Sequence, residues 1–355
     1  MLSYAKRLVF QSLNRLGWNA ILLKSNWRAR RLLILAYHGI SLDDEHRCSG
    51  LFMSPEQFRE RLRGIRSAGC NVLALEDALT RLYDGSLPPR SVVLTFDDGF
   101  YDFYARAWPI LREFRWPVTV YLTTYYSVHN LPVFDPMVMY LLWKGRGKEL
   151  HLPEIGIDGM LIEDAPSRQT GMILDAARDR GLGAEEKHQL LRVVAARLGV
   201  DFEDLLSRRV LHLMKPEEVA ELASEGVDFE LHCHKHRVYR SRELFRDGIL
   251  ENQTILERVG GRKPRHFCYP GGFWLPEFMP WLAELGMLSA TTCIPGMATS
   301  RSGRYRLPRL LDGPGMELSE FSSWLSGLAT LLPKRKQPPS TGQLGDEYGI
   351  SAGSS

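Results

Sequence analysis

Between Ser91 and Phe103 the chain reads SVVLTFDDGFYDF, and no other stretch limits the fold as much. Val92, Val93, Leu94, Thr95 and Phe96 form a run of β-branched and apolar residues that stops at two adjacent carboxylates, Asp97 and Asp98, ahead of Gly99. Such a run reads as a buried strand that delivers two acids to its open end. Neighbouring carboxylates repel once both ionise, so a pair at a strand terminus suits a metal ion, a proton transfer, or one of each. An Asp-Asp-Gly turn after an ordinary strand is the competing reading of the pair alone.

A second strand-like segment, VDFELHCHKHR from Val227 to Arg237, ends in histidines at alternate positions, His232, His234 and His236. The four-residue separation of His232 and His236 lets two ring nitrogens reach one ion from a single turn or bent loop. One carboxylate and two imidazoles make three protein ligands and leave positions open for water, the vacancy that separates a catalytic site from a closed structural one.

TFDDG at Thr95–Gly99 and HCHKH at His232–His236 together resemble the first two motifs of the polysaccharide deacetylases, the nodulation-factor deacetylase (NodB) homology family. The resemblance implies that Asp97 is the general base, that Asp98, His232 and His236 hold a divalent metal, and that the reaction removes an N- or O-linked acyl group from a sugar. It also implies an α/β fold, a distorted (β/α) barrel with a helical insertion, whose site lies at the carboxyl ends of the strands. RHFCYPGG, Arg265–Gly272, resembles the third motif. By that likeness Tyr269, Pro270, Gly271 and Gly272 line the pocket, and the backbone N–H of Tyr269 or its neighbour holds the oxyanion. A Pro-Gly-Gly turn permits the close backbone approach such a donor needs.

The chain also departs from the family pattern. Cys268 stands where many members carry an arginine that orients the base, and no L-x-H motif follows near the C-terminus. LPRLL at Leu307–Leu311 occurs instead, so Arg309 is expected to take the charge-orienting role beside Asp97. The general acid is unassigned; His38, at the end of the apolar strand LLILAYHGI, and His234 are the candidates, and both are taken as pocket residues. Two imidazoles and a carboxylate suit Zn2+ first, with Co2+, Ni2+ or Mn2+ as alternatives.

Elsewhere the sequence supplies organisation. Ser54, Pro55 and Gln57 form a helix-start signature ahead of Phe58, Leu62 and Ile65, and strand and helix patterns alternate from there to Val118–Thr123. The alternation predicts parallel strands with helical crossovers over residues 31–331, interrupted by a mostly helical insertion at about 136–213. Residues 1–30 predict a basic amphipathic helix without a secretory core or a membrane span, suited either to packing on the barrel or to lying in a membrane interface. The polar, Pro- and Gly-containing tail at 332–355 is expected to be disordered. With 355 residues and 44% hydrophobic content there is enough chain for one barrel of roughly 250 residues plus additions.

A net charge of +3 gives no reason to expect a nucleic-acid partner, and five dispersed cysteines fit a reducing compartment. The expected setting is therefore cytoplasmic, with peripheral contact at the inner face of a bacterial membrane as an option, and an N-acetylated glycan or glycolipid as substrate. Three rivals remain open at this level: an amidohydrolase-type enzyme using His232 and His234, a catalytically silent sugar-binding scaffold, and a membrane-docked interaction protein.

Overall fold

The computed structural model describes residues 4–331. Seven strands form the main path of an eight-stranded sheet: β1 (Leu33–Tyr37), β2 (Ser91–Asp98), β3 (Thr119–Leu122), β4 (Asp228–Leu231), β5 (His266–Cys268), β6 (Ser289–Thr291) and β7 (Leu310–Leu311), and the short strand Asn71–Val72 pairs with β2 beside that path. They lie in the order β6-β5-β4-β3-β2-β1-β7, with every pairing parallel. A parallel bridge from Thr291 to Leu307 brings the approach to β7 against β6, so the sheet curls into a distorted (β/α) barrel. Continuous apolar strands require cover on both faces, and here successive residues divide between two clusters. Leu33, Leu35, Val92, Leu94 and Phe96 pack into the larger, and Ile34, Val93 and Tyr121 into a smaller one that also holds Cys268 and Leu307. Thr95 and Asp97 therefore share the face of Val93, as the period of two demands.

Helices cross between the strands where the local chemistry starts and stops them. Ser54 accepts from the Gln57 backbone N–H at 3.2 Å while the Ser54 N–H donates to Gln57 Oε1 at 3.2 Å, and the helix Pro55–Ser67 buries Phe58, Leu62 and Ile65. The helical stretch after Gly99 is less regular than its sequence predicts. A π-helical segment, Phe103–Ala107, precedes the α-helix Trp108–Phe114, because Pro109 has no N–H to continue the ladder.

Two further expectations need restating. The single amphipathic helix over 1–30 is three helices, Tyr4–Arg15, Trp18–Leu23 and Asn26–Ala29. Gly17, at φ 78°, breaks the first run, and Ser25 caps the last by accepting from the Arg28 N–H. Arg28 is fully buried and donates to the carbonyls of Leu325, Arg31 and Ser91, which ties this segment to the base of the barrel and to the helix Leu318–Ser326. Between β3 and β4 the chain makes the helices Phe134–Lys144, Ser167–Asp179, Ala184–Leu198 and Phe202–Ser207, around an apolar cluster separate from the barrel core. It also makes an antiparallel hairpin, Glu149–Leu152 with Ile157–Leu161; exposed and buried residues alternate only in the first of its strands, over four residues, too short a signal to stand out among helical ones. The tail expected to be disordered lies outside the described residues.

Candidate metal centre

Asp97 and Asp98 are adjacent in sequence but part in space. Asp97 points to the inner face, whereas Asp98 adopts a left-handed backbone at φ 68° and Gly99 follows at φ 81°. A side chain on Gly99 would meet Leu122 Cδ1 at 2.0 Å, so the reversal at the end of β2 requires glycine. His236 is also left-handed, at φ 53°. Strained backbone at two of the three proposed ligands is a cost that sites with a chemical task commonly carry.

Asp98 Oδ1 lies 3.2 Å from His232 Nε2 and 3.1 Å from His236 Nε2. The three potential ligand atoms fall within 4.8 Å of one another. Although close to both rings, Asp98 Oδ1 is buried without a hydrogen-bond partner, so the separations suit a shared ion better than direct bonds. For bonds of about 2.0–2.2 Å in a tetrahedral site, neighbouring ligand atoms stand roughly 3.3 Å apart, close to what is found. The Nδ1–H of His232 donates to the Cys268 carbonyl at 2.9 Å, which leaves the Nε2 lone pair facing Asp98, the support a metal-ligating imidazole usually has. Asn252, fully buried, accepts from the His232 backbone N–H at 3.0 Å and donates to the Leu122 carbonyl at 3.0 Å.

A second grouping, Asp97, His232 and Cys268, is equally compact. It is chemically poorer, because both oxygens of Asp97 are already engaged and burial pushes the Cys268 thiol well above its ordinary range. Arg309 Nη1 and Nη2 donate to the two Asp97 oxygens at 2.7 Å each. The same guanidinium reaches Thr95 Oγ1 at 3.1 Å, the Thr292 carbonyl at 3.1 Å and Cys268 Sγ at 3.0 Å. The small thiol of Cys268 leaves room on β5 for an arginine arriving from the approach to β7. Burial opposes ionisation of Asp97, yet the facing guanidinium outweighs it and holds the carboxyl below its usual range. Burial also opposes ionisation of Asp98, and His236 and His232 overcome it to hold that carboxyl well below its usual range in the metal-free protein.

The remaining candidates divide. His38 Nε2 stands 4.0 Å from Asp97 Oδ2, and burial lowers its pKa despite both acids, so its ring is neutral near pH 7. His234 is engaged elsewhere: Nδ1 bonds Thr124 Oγ1 at 2.9 Å and Nε2 faces Glu251 at 3.2 Å. That removes its place as a pocket residue and the second ligand of the amidohydrolase reading. Tyr269 is buried, with its hydroxyl donating to the Tyr305 carbonyl and its backbone N–H spent on the Thr291 carbonyl at 3.2 Å. Pro270 has no N–H, and the Gly272 N–H closes the turn onto the Tyr269 carbonyl. Gly271, exposed at φ 61°, is thus the turn residue whose N–H has no acceptor among the described residues. Thr95 and Asn252 are the supporting residues that the sequence reading missed; a buried Asn on the apolar face of the helix Arg242–Gly260 was the available signal for the latter.

Comparison with known proteins shows the family and the fold. The sequence profile described as polysaccharide deacetylase matches residues 84–154 and 162–290. The chain therefore belongs to the polysaccharide deacetylase family, a class of deacetylating hydrolases. YxkH of Bacillus subtilis (strain 168), which carries that family's name, is 19% identical over 301 residues, 84% of this chain and 77% of its own length. The poly-beta-1,6-N-acetyl-D-glucosamine N-deacetylase of Escherichia coli (strain K12) is 30% identical over 101 residues, 28% of this chain but only 15% of that enzyme. Among solved structures, the Streptococcus pyogenes deacetylase PplD in complex with acetate shares the fold at a TM-score of 0.55 and 18% identity, over 85% of this chain and 99% of its own.

Proposed function

We propose that this chain is a metal-dependent deacetylase that removes the N-acetyl group from an amino sugar in a polysaccharide or lipid-linked glycan. The observation that carries the reading is the convergence of Asp98, His232 and His236 on one point beside an Asp97 clamped by Arg309. Similarity to enzymes named for de-N-acetylating poly-β-1,6-N-acetyl-D-glucosamine supports an acetamido sugar as the class of substrate.

Asp98, His232 and His236 would hold the ion, with zinc the first expectation for this donor set. When bound, it supplies Lewis-acid polarisation of the acyl carbonyl and a bound water of lowered pKa. Asp97, kept ionised by Arg309, takes the proton from the attacking water on a lone pair that the guanidinium leaves free. Arg309 fixes the plane of that carboxylate by two parallel bonds. The Gly271 N–H is the backbone donor available to the developing oxyanion, in place of the Tyr269 N–H that the resemblance implies. The proton that Asp97 takes up then goes to the departing amine, directly or by way of His38, the imidazole nearest Asp97, whose neutral ring first accepts it.

Metal content and activity should fall together in the ligand variants. His232→Ala is expected to lose bound ion and acetate release to background, and chelated wild-type protein should recover both when Zn2+ is restored. Full activity in a chelated, metal-free preparation would sink the assignment.

Peripheral membrane contact belongs to the same proposal. Leu16, Trp18 and Ile21 are 70%, 47% and 60% exposed at the corner around Gly17, with Arg15 and Lys24 exposed beside them. No acidic residue precedes Asp43. Among the described residues no helix is long and apolar enough to cross a membrane, so the chemistry suits an anionic lipid surface. Co-sedimentation with phosphatidylglycerol vesicles should drop about tenfold in Trp18→Ala/Ile21→Ser; binding equal to wild type would remove the lipid role.

A further inference from the structure

Beside the His236 loop two cavities of about 170 Å³ and 250 Å³ open between the barrel and the insertion, sharing Phe134, Lys187 and Arg237 in their walls. Tyr125 and Tyr126 line one, together with Lys235; Arg178 and Asp135 line the other. The cations come from separate elements. Lys187 lies in the first turn of the helix Ala184–Leu198, Arg178 near the end of the helix Ser167–Asp179, and Lys235 and Arg237 flank His236 in sequence.

The charges do not cancel. Arg178 is paired with Asp175 at 3.1 Å, but no carboxylate lies at ion-pair distance from Lys187, Lys235 or Arg237 among the described residues. Lys187 and Lys235 instead stand over aromatic rings, 5.3 Å from the centroid of Phe134 and 5.8 Å from that of Tyr125. Burial, then Arg237, pushes the Lys187 ammonium below its ordinary range, with Arg178 adding to the effect and Asp135 opposing it. Cations gathered around a cavity with one facing carboxylate repel one another, a cost that an anion in the cavity would relieve. The guanidinium fork of Arg237 suits the planar or tetrahedral oxygens of a carboxylate or phosphate, and the aromatic faces suit the C–H face of an adjoining sugar.

We propose that the place where the two cavities share Lys187 and Arg237 is a subsite for an anionic group, phosphate or carboxylate, carried by the glycan next to the acetamido sugar that reaches the candidate metal centre. The proposal rests on the deacetylase reading for its substrate class, but its occupancy can be measured without turnover. Metal-free protein is titrated by calorimetry with N-acetylglucosamine, N-acetylglucosamine 1-phosphate and a glucuronate-containing N-acetylglucosamine disaccharide. At least one charged ligand should bind about tenfold tighter than N-acetylglucosamine, and which one does so separates phosphate from carboxylate. The preference should shrink as salt rises. It should disappear in Lys187→Gln/Arg237→Gln and in Lys187→Gln alone be reduced, while Asp135→Asn, which removes the opposing acid, should increase it. Equal binding of all three ligands, or a preference that survives the double variant with an unchanged melting temperature, overturns the subsite. Acetate release from an uncharged N-acetylglucosamine oligomer is read separately, so failure of the deacetylase reading leaves a distinct signature: no release, with the charge preference intact.

Discussion

Asp97→Asn is expected to lower turnover by about 10²–10⁴-fold, the contribution of a positioned general base, while the protein still takes up its ion through Asp98, His232 and His236. The amide has no proton-accepting role comparable to the carboxylate, yet it leaves the geometry of β2 unchanged. Metal analysis beside acetate release separates it from His232→Ala, in which both quantities fall. The substitution also leaves the fully buried Arg309 without its counter-charge. Breaking a buried pair from one side costs about 3–5 kcal/mol, so the variant should melt earlier than wild type. Equal metal loss in Asp97→Asn and His232→Ala would contradict the division between base and ligands.

Arg309→Met is the second large effect, and its signature lies in the pH profile. In the wild type the depressed pKa of Asp97 means that the pair stabilises the fold fully above the ordinary carboxylate range, and that this stabilisation is lost as pH falls through the lowered value. With the guanidinium gone, burial acts on Asp97 with far less opposition and raises its pKa. The acid limb of the rate profile should therefore move upward, so that turnover falls most below pH 7 and partly recovers in mildly alkaline buffer. Stability should drop by about 3–5 kcal/mol for the same reason as above, and Asp97→Asn/Arg309→Met should melt higher than either single variant. Unchanged turnover and an unmoved profile would show that Arg309 is a packing residue only.

Much of the barrel could be read from the chain because its signals are local. The apolar run of β2, the cap at Ser54 and the alternation of strand and helix each require a few neighbouring residues to agree. The candidate ligands could be picked out for a similar reason: Asp98, His232 and His236 stand at strand ends where parallel strands converge. What resisted reading depends on long-range pairing. Arg309 was expected beside Asp97, but that it reaches across 212 positions to form two bonds there, one to each oxygen, is not written in residue types. His234 differs from its neighbours only in direction: its side chain meets Thr124 and Glu251, which no spacing rule reveals. The Tyr269 N–H could be assigned to the oxyanion only until the ladder to Thr291 was known. Likewise Gly17 and Ser25, both legible as breakers, split the first thirty residues into three helices that a periodicity count had joined.

The most direct test is acetate release from a defined N-acetylglucosamine oligomer by Zn2+-reconstituted protein, with the free amine counted in parallel. The result expected is one amine for each acetate, dependent on the ion and lowered by about 10²–10⁴-fold in Asp97→Asn. Bound ion at full stoichiometry, oligomer binding, and no acetate from either free or lipid-linked N-acetylated sugars would contradict it and leave a scaffold that binds glycan without cutting it.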